Sequence, residues 1–136
     1  MTRTAAKMIF VPFTDRIPEV LSAADLVVSR AGAGTIAELV RCGTPAVLVP
    51  FPQAADNHQA ANAAYFAQEG GGLVVPQNEL ENLEPTVLRV MRDAGLREEF
   101  RANLRRMDEA DNLDTLLRDL EAVSVRGGDK GVLAVA

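Results

Sequence analysis

Four short apolar runs, Met8–Val11, Leu26–Ser29, Ala46–Val49 and Leu73–Val75, punctuate the first half of this 136-residue chain and constrain its fold more than any other feature. Each is rich in Val, Leu or Ile and too short for a helix, so each reads as a buried strand. Helical signals lie between them. Pro18 stands at a first-turn position ahead of Glu19–Ala24, Thr35–Cys42 stops at Gly43, and Asp56–Glu69 stops at Gly70. Strand and helix therefore alternate, and helix crossovers require parallel neighbours. Continuous rather than alternating apolarity predicts strands covered on both faces. The expectation is an α/β fold with a doubly wound, Rossmann-like parallel sheet of about four strands.

Beyond residue 78 the chain is densely charged and reads as C-terminal helices. Pro85 opens one that runs to about Ala94, a second covers Leu96–Met107, and a third covers Asp111–Val123. On the third, Leu113, Leu116, Leu117, Leu120 and Val123 share one apolar stripe. Residues 1–123 are expected to form one domain and 124–136 a poorly ordered tail. The 19 acidic against 14 basic residues give a net charge of −5, which argues against a general nucleic-acid or anionic-membrane binder. A phosphate ligand would have to be held by local geometry. Cys42 is the only cysteine, so an intrachain disulfide and a multi-cysteine zinc site are excluded, and a reducing, cytoplasmic setting is expected.

The segment Ser29-Arg30-Ala31-Gly32-Ala33-Gly34-Thr35-Ile36-Ala37-Glu38 is a strand end, a loop of tiny residues and a helix start. Without bulky side chains, a phosphate can approach the first backbone N–H groups of the helix at the positive end of its dipole. Thr35 adds a hydroxyl donor, and Glu38 can accept bonds from ribose hydroxyls. The same small residues equally permit close helix–sheet packing with Glu38 merely solvated. A second segment, Val49 to Ala63, enters a helix from the same sheet edge, and its Asp56, His58, Gln59 and Asn62 suit sugar hydroxyls. Asp56 with Gln59 also reads as a capping box. Phe13, followed by Thr14, reads either as a core residue or as a surface on which a planar base stacks. No nucleophile elbow or metal-ligand set is present, so neither a catalytic residue nor a metal or cofactor is assigned.

Taken together, Ala24 to Leu39, Gly43-Thr44-Pro45-Ala46 and Asp56-Asn57-His58-Gln59-Ala60-Ala61-Asn62-Ala63 closely resemble the C-terminal, donor-binding domain of glycosyltransferase family 28. Within that family they are most similar to the branch that adds N-acetylglucosamine to lipid I to form lipid II. The resemblance runs from about Val11 to Val123 and implies a GT-B-type C-terminal domain. It implies that Phe13 and the Thr14 backbone hold uracil, that the Ala33, Gly34 and Thr35 amides hold the diphosphate, and that Glu38 holds the ribose. His58 and Gln59 would meet the hydroxyls of N-acetylglucosamine. By the same resemblance the ligand is UDP-N-acetylglucosamine. Against that family, the acceptor-binding domain and the opening strand of the donor domain are expected to be missing from this sequence. A separate acceptor-domain half or partner chain is therefore implied, with peripheral membrane contact only through that half.

Overall fold

The computed structural model describes residues 12–52 and 58–126, with side chains as far as Asn112 in the last helix. Helix α1 (Ile17–Ala23) leads into strand β1 (Val27–Ser29), and helix α2 (Ala33–Cys42) into strand β2 (Ala46–Leu48). Helix α3 (His58–Gln68) precedes strand β3 (Gly72–Val74), after which a 3-10 segment (Gln77–Asn82) runs into α4 (Leu83–Arg92) and α5 (Ala94–Arg126). The three strands are parallel in the order β1-β2-β3 and in direct register, with Val27 opposite Ala46 and Ala46 opposite Gly72. This is the α/β architecture expected from the alternating runs. The run Met8–Val11, expected as a further strand, lies outside the described residues.

Strand β2 shows why the sheet must be covered twice. All three of its residues are buried, and successive side chains point to opposite faces. Ala46 and Leu48 join Ile36, Leu39 and Val40 of α2, Ala63 and Phe66 of α3, and Leu104 and Met107 of α5. On the opposite face Val47 and the following Val49 pack with Val75, Val90 of α4 and Phe100 of α5, and Leu83, Val87 and Leu96 flank them. Helix α5 therefore serves both cores, through Leu96 and Phe100 on one side and Leu104 and Met107 on the other. Phe66 and Leu104 are fully buried, each contributing about 2–3 kcal/mol of apolar burial.

Helix ends follow local chemistry. Gly43 closes α2 in the left-handed conformation at φ 65°, and its amide returns to Leu39 and Val40. The neighbouring Thr44 is buried, and its hydroxyl donates to the Leu21 carbonyl at 2.7 Å, fixing α1 against the start of β2. Gly72 is required by proximity rather than by φ, since a Cβ there would run into the Ala46 carbonyl of β2. Cys42, in the last turn of α2, is half-buried.

The charged half differs from expectation in one respect. The two helices expected over Leu96–Met107 and Asp111–Val123 are one helix of 33 residues, about 50 Å long. Asp111 and Asn112 resemble a helix start, but no Gly or Pro interrupts residues 96–126. An Asp or Asn in a helix interior costs only a few tenths of a kcal/mol, too little to break a helix anchored by Phe100, Leu104 and Met107. The true start is Asp93, whose carboxylate accepts the Leu96 amide at 2.9 Å. The helix includes Ser124–Arg126; the rest of the expected tail, and the side chains of the Leu113–Val123 stripe, lie outside the described residues.

Candidate nucleotide-sugar site

Because the strands are parallel, their carboxyl ends share one edge, and the loops that follow β1, β2 and β3 meet there. The first loop, Arg30-Ala31-Gly32, delivers the chain to α2. Gly32 is the N-cap, extended at φ −64° and ψ 149°, with no side-chain hydrogen bond to the first turn. The first intrahelical bond runs from the Ile36 amide to the Gly32 carbonyl at 3.0 Å. The amides of Ala33, Gly34 and Thr35 therefore have no intrahelical acceptor. Among the described residues, nothing lies within 4 Å of a Cβ added at Gly34. The turn is thus both uncapped and sterically open, which is what a phosphate group needs in order to reach backbone N–H donors.

Helix α3 holds this loop in place. The Gln59 Oε1 accepts the Ala31 amide at 3.3 Å and the Phe51 amide at 2.8 Å. One turn along, the Asn62 Nδ2 donates to the Ala31 carbonyl at 3.0 Å. Ala31 is fully buried, and both its backbone groups are bonded by side chains of α3. Gln59 was expected at the sugar, yet its oxygen is committed to joining the β1–α2 and β2–α3 loops. Asn62, read as a group suited to sugar hydroxyls, is likewise committed inward. Their spacing of three residues on one helix face was the available signal for a shared partner.

The other expected residues are placed as follows. Glu38 is exposed one turn beyond Thr35, in a recess of about 280 Å³ shared with Arg41 of α2 and Asp108, Asp111 and Asn112 of α5. His58 is exposed at the first residue of α3. Asp56, read as an N-cap, lies outside the described residues. Phe13 is 82% exposed and so is no core residue. The Thr14 hydroxyl accepts the Arg16 amide at 3.0 Å. One turn beyond Asn62 on α3, the Tyr65 hydroxyl is held above its usual pKa by partial burial and by the Asp111 and Glu69 carboxylates.

The sequence had not singled out Arg30 for a role. Its guanidinium lies over the Phe51 ring, 5.4 Å from the centroid, and donates to the Val49 carbonyl at 3.3 Å and to the Gln77 Oε1. Beside it, an apolar cleft of about 510 Å³ opens between the loops after β2 and β3, walled by Pro50, Phe51, Pro52, Ala60 and Pro76. Among the described residues no cluster of three His, Cys, Asp or Glu side chains is arranged for a metal ion. Nor is any described helix long and apolar enough to cross a membrane.

Residues 2–115 match the glycosyltransferase family 28 C-terminal domain. The chain belongs to this family. It is 58% identical over 122 residues to the UDP-N-acetylglucosamine--N-acetylmuramyl-(pentapeptide) pyrophosphoryl-undecaprenol N-acetylglucosamine transferase of Opitutus terrae, covering 90% of this chain and 32% of the relative. The enzyme of the same name from Synechococcus sp. strain RCC307 is 46% identical over 120 residues, covering 88% and 31%. Among solved structures, the MurG of Acinetobacter baumannii superposes with a TM-score of 0.64 at 32% identity, over 71% of this chain and 29% of that one. The family 28 chain described here thus spans about a third of the length of these relatives, and its sheet and helices match the C-terminal domain of MurG.

Proposed function

We propose that this chain is the UDP-N-acetylglucosamine-binding part of a glycosyltransferase that moves N-acetylglucosamine onto the undecaprenyl-diphosphate-linked muramoyl-pentapeptide, converting lipid I to lipid II. The observation that carries the reading is the open, uncapped first turn of α2 at the carboxyl edge of the sheet, held there by Gln59 and Asn62. It is supported by the names of the relatives, each of which is an N-acetylglucosamine transferase.

In this reading the Ala33, Gly34 and Thr35 amides bind the diphosphate of UDP. Charge grows on that diphosphate as the bond to the anomeric carbon breaks, and fixed backbone dipoles stabilise it without reorganising. Glu38 accepts from the ribose hydroxyls, Phe13 stacks on uracil, and the Thr14 backbone pairs with the base edge. His58 bonds the sugar hydroxyls. With its oxygen engaged, Gln59 contributes to the sugar as an Nε2 donor. The acceptor hydroxyl displaces UDP directly, and the acceptor is bound outside this domain, by a further segment or a partner chain. The domain is cytoplasmic, meeting the membrane only through that acceptor-binding half.

Calorimetric titration of the full chain with UDP tests the reading. Binding is expected, and Glu38→Ala is expected to weaken it about tenfold, the equivalent of one or two lost hydrogen bonds to a charged group. No heat on adding UDP, even with an acceptor-domain partner supplied, would overturn the assignment.

A further inference from the structure

Among the described residues, the Arg30 side chain joins the chain segments that follow all three strands. It leaves the end of β1, donates to the Val49 carbonyl at the end of β2, stacks over Phe51, and bonds Gln77 beyond β3. A guanidinium suits this task because its planar fork can hold oxygen acceptors while its face lies on a ring, which a lysine ammonium cannot do. Phe51 and Gln77, the two residues it secures, both line the apolar cleft between the loops after β2 and β3. Phe51 is also tied to α3 through its amide and Gln59. The ring and backbone of Phe51 thus link the Arg30 strap to the Gln59 clamp that sets the diphosphate loop.

We propose that Arg30 is a positioning residue: it fixes Phe51 and Gln77 as one wall of the donor crevice, acting through them and not by contact with the diphosphate. This rests on the donor-site reading. It explains how a loop otherwise made of tiny residues keeps a defined shape beside a cleft with few polar contacts. It also accounts for an arginine at the mouth of an anion site whose charge is already engaged by two carbonyl-type oxygens and a ring.

Calorimetry on the full chain, with Arg30→Lys, Arg30→Gln, Gln77→Leu and the double variant Arg30→Lys with Gln77→Leu, separates the possibilities. Each single change is expected to weaken UDP-N-acetylglucosamine binding roughly fivefold. The double variant should lose no more than the weaker single, because both remove the same strap. Arg30→Lys keeps the positive charge and loses the fork and the stacking face, so a Lys variant that binds as tightly as the unmodified chain while Arg30→Gln binds weakly would show that charge, and not the strap, is what the ligand needs. Additive losses or unaltered affinity would each overturn the proposal as well. Nuclear magnetic resonance of the ligand-free chain supplies a reading that needs no nucleotide. The Gln77 side-chain amide and Phe51 ring resonances should shift in Arg30→Lys, and unshifted resonances would overturn the strap. If the unmodified chain binds no UDP even with an acceptor-domain partner supplied, the donor-site reading falls, while these resonances still decide whether Arg30 holds Phe51 and Gln77.

Discussion

At the C-terminus of α3 the outward carbonyls of Glu69 and Gly70 are taken by Arg106 at 3.1 Å and Asn103 at 3.0 Å, both from α5. At the N-terminus of α2 no side chain of the described residues caps the first turn, and none of their atoms lies within 4 Å of a Cβ added at Gly34. Both are helix ends with backbone groups that need partners. One is closed by its neighbours, and the other is held in position but left open. The closed end sits over the core of Phe66, Leu104 and Met107, so its role is cohesion. The open end sits at the sheet edge where the loops converge, so its groups remain for a ligand. This contrast predicts that stability and nucleotide binding can be damaged separately.

The largest effect should come from the closed region. Leu104→Ala empties a fully buried position between Gly71, Phe66 and the sheet. It is expected to cost about 2–5 kcal/mol of stability, measured by denaturant unfolding. Below the unfolding transition, UDP affinity should stay within about twofold of the unmodified chain, because a cavity there leaves the α2 turn in place. An equal loss of affinity in the folded protein would erase the contrast.

Gly34→Leu is the converse change. A Cβ there has no atom of the described residues within 4 Å, and leucine favours a helix over glycine by up to about 1 kcal/mol, so the melting temperature should not fall. The same side chain would occupy the space a phosphate needs. UDP affinity is expected to drop at least about 100-fold, or roughly 2.7 kcal/mol. A stable variant that still binds UDP would show that the open turn is not the diphosphate site.

These two regions were unequally legible in the sequence. The three described strands announce themselves because a run such as Ala46–Leu48, buried on both faces, must be apolar throughout. The tiny residues of the β1–α2 turn were legible only as a choice, since they suit close helix–sheet packing as well as an anion; that the turn is uncapped and open came from the structure. The continuity of α5 was not legible. Asp111 and Asn112 carry the local signature of a helix start, and only the tertiary anchors upstream override it. The commitments of Gln59 and Asn62 were hidden for a different reason. A side-chain amide can bond many partners, and which one it meets depends on how sheet register brings the β1–α2 and β2–α3 loops together. Arg30 was obscure for the same cause, since its partners Val49 and Gln77 lie 19 and 47 residues away.

Gln59 stands between the two regimes, because it is part of the scaffold and also borders the open turn. Gln59→Ala removes the acceptor for the Ala31 and Phe51 amides. It should cost about 1–2 kcal/mol of stability and weaken UDP several-fold by releasing the Ala31 turn. Gln59→Glu keeps an oxygen for both amides but brings a negative charge toward a diphosphate. Thermal unfolding and calorimetry should therefore diverge for this variant, with stability near that of the unmodified chain and binding reduced.

The smallest predicted effect is also the most selective. Asn103→Ala removes the donor to the Gly70 carbonyl while leaving the backbone of α5 intact. Gly70 has φ 80°, and Asn103 packs directly against it, so the lost bond leaves a half-buried carbonyl short of a partner at the turn from α3 to β3. Arg106 still reaches the Glu69 carbonyl, which limits the expected loss to about 1 kcal/mol. Hydrogen exchange should quicken at the α3–β3 turn and stay unchanged in the first turns of α2. UDP affinity should not move. If exchange quickened at both helix ends together, the closed and open termini would be one cooperative unit, and the separation of cohesion from binding would fail.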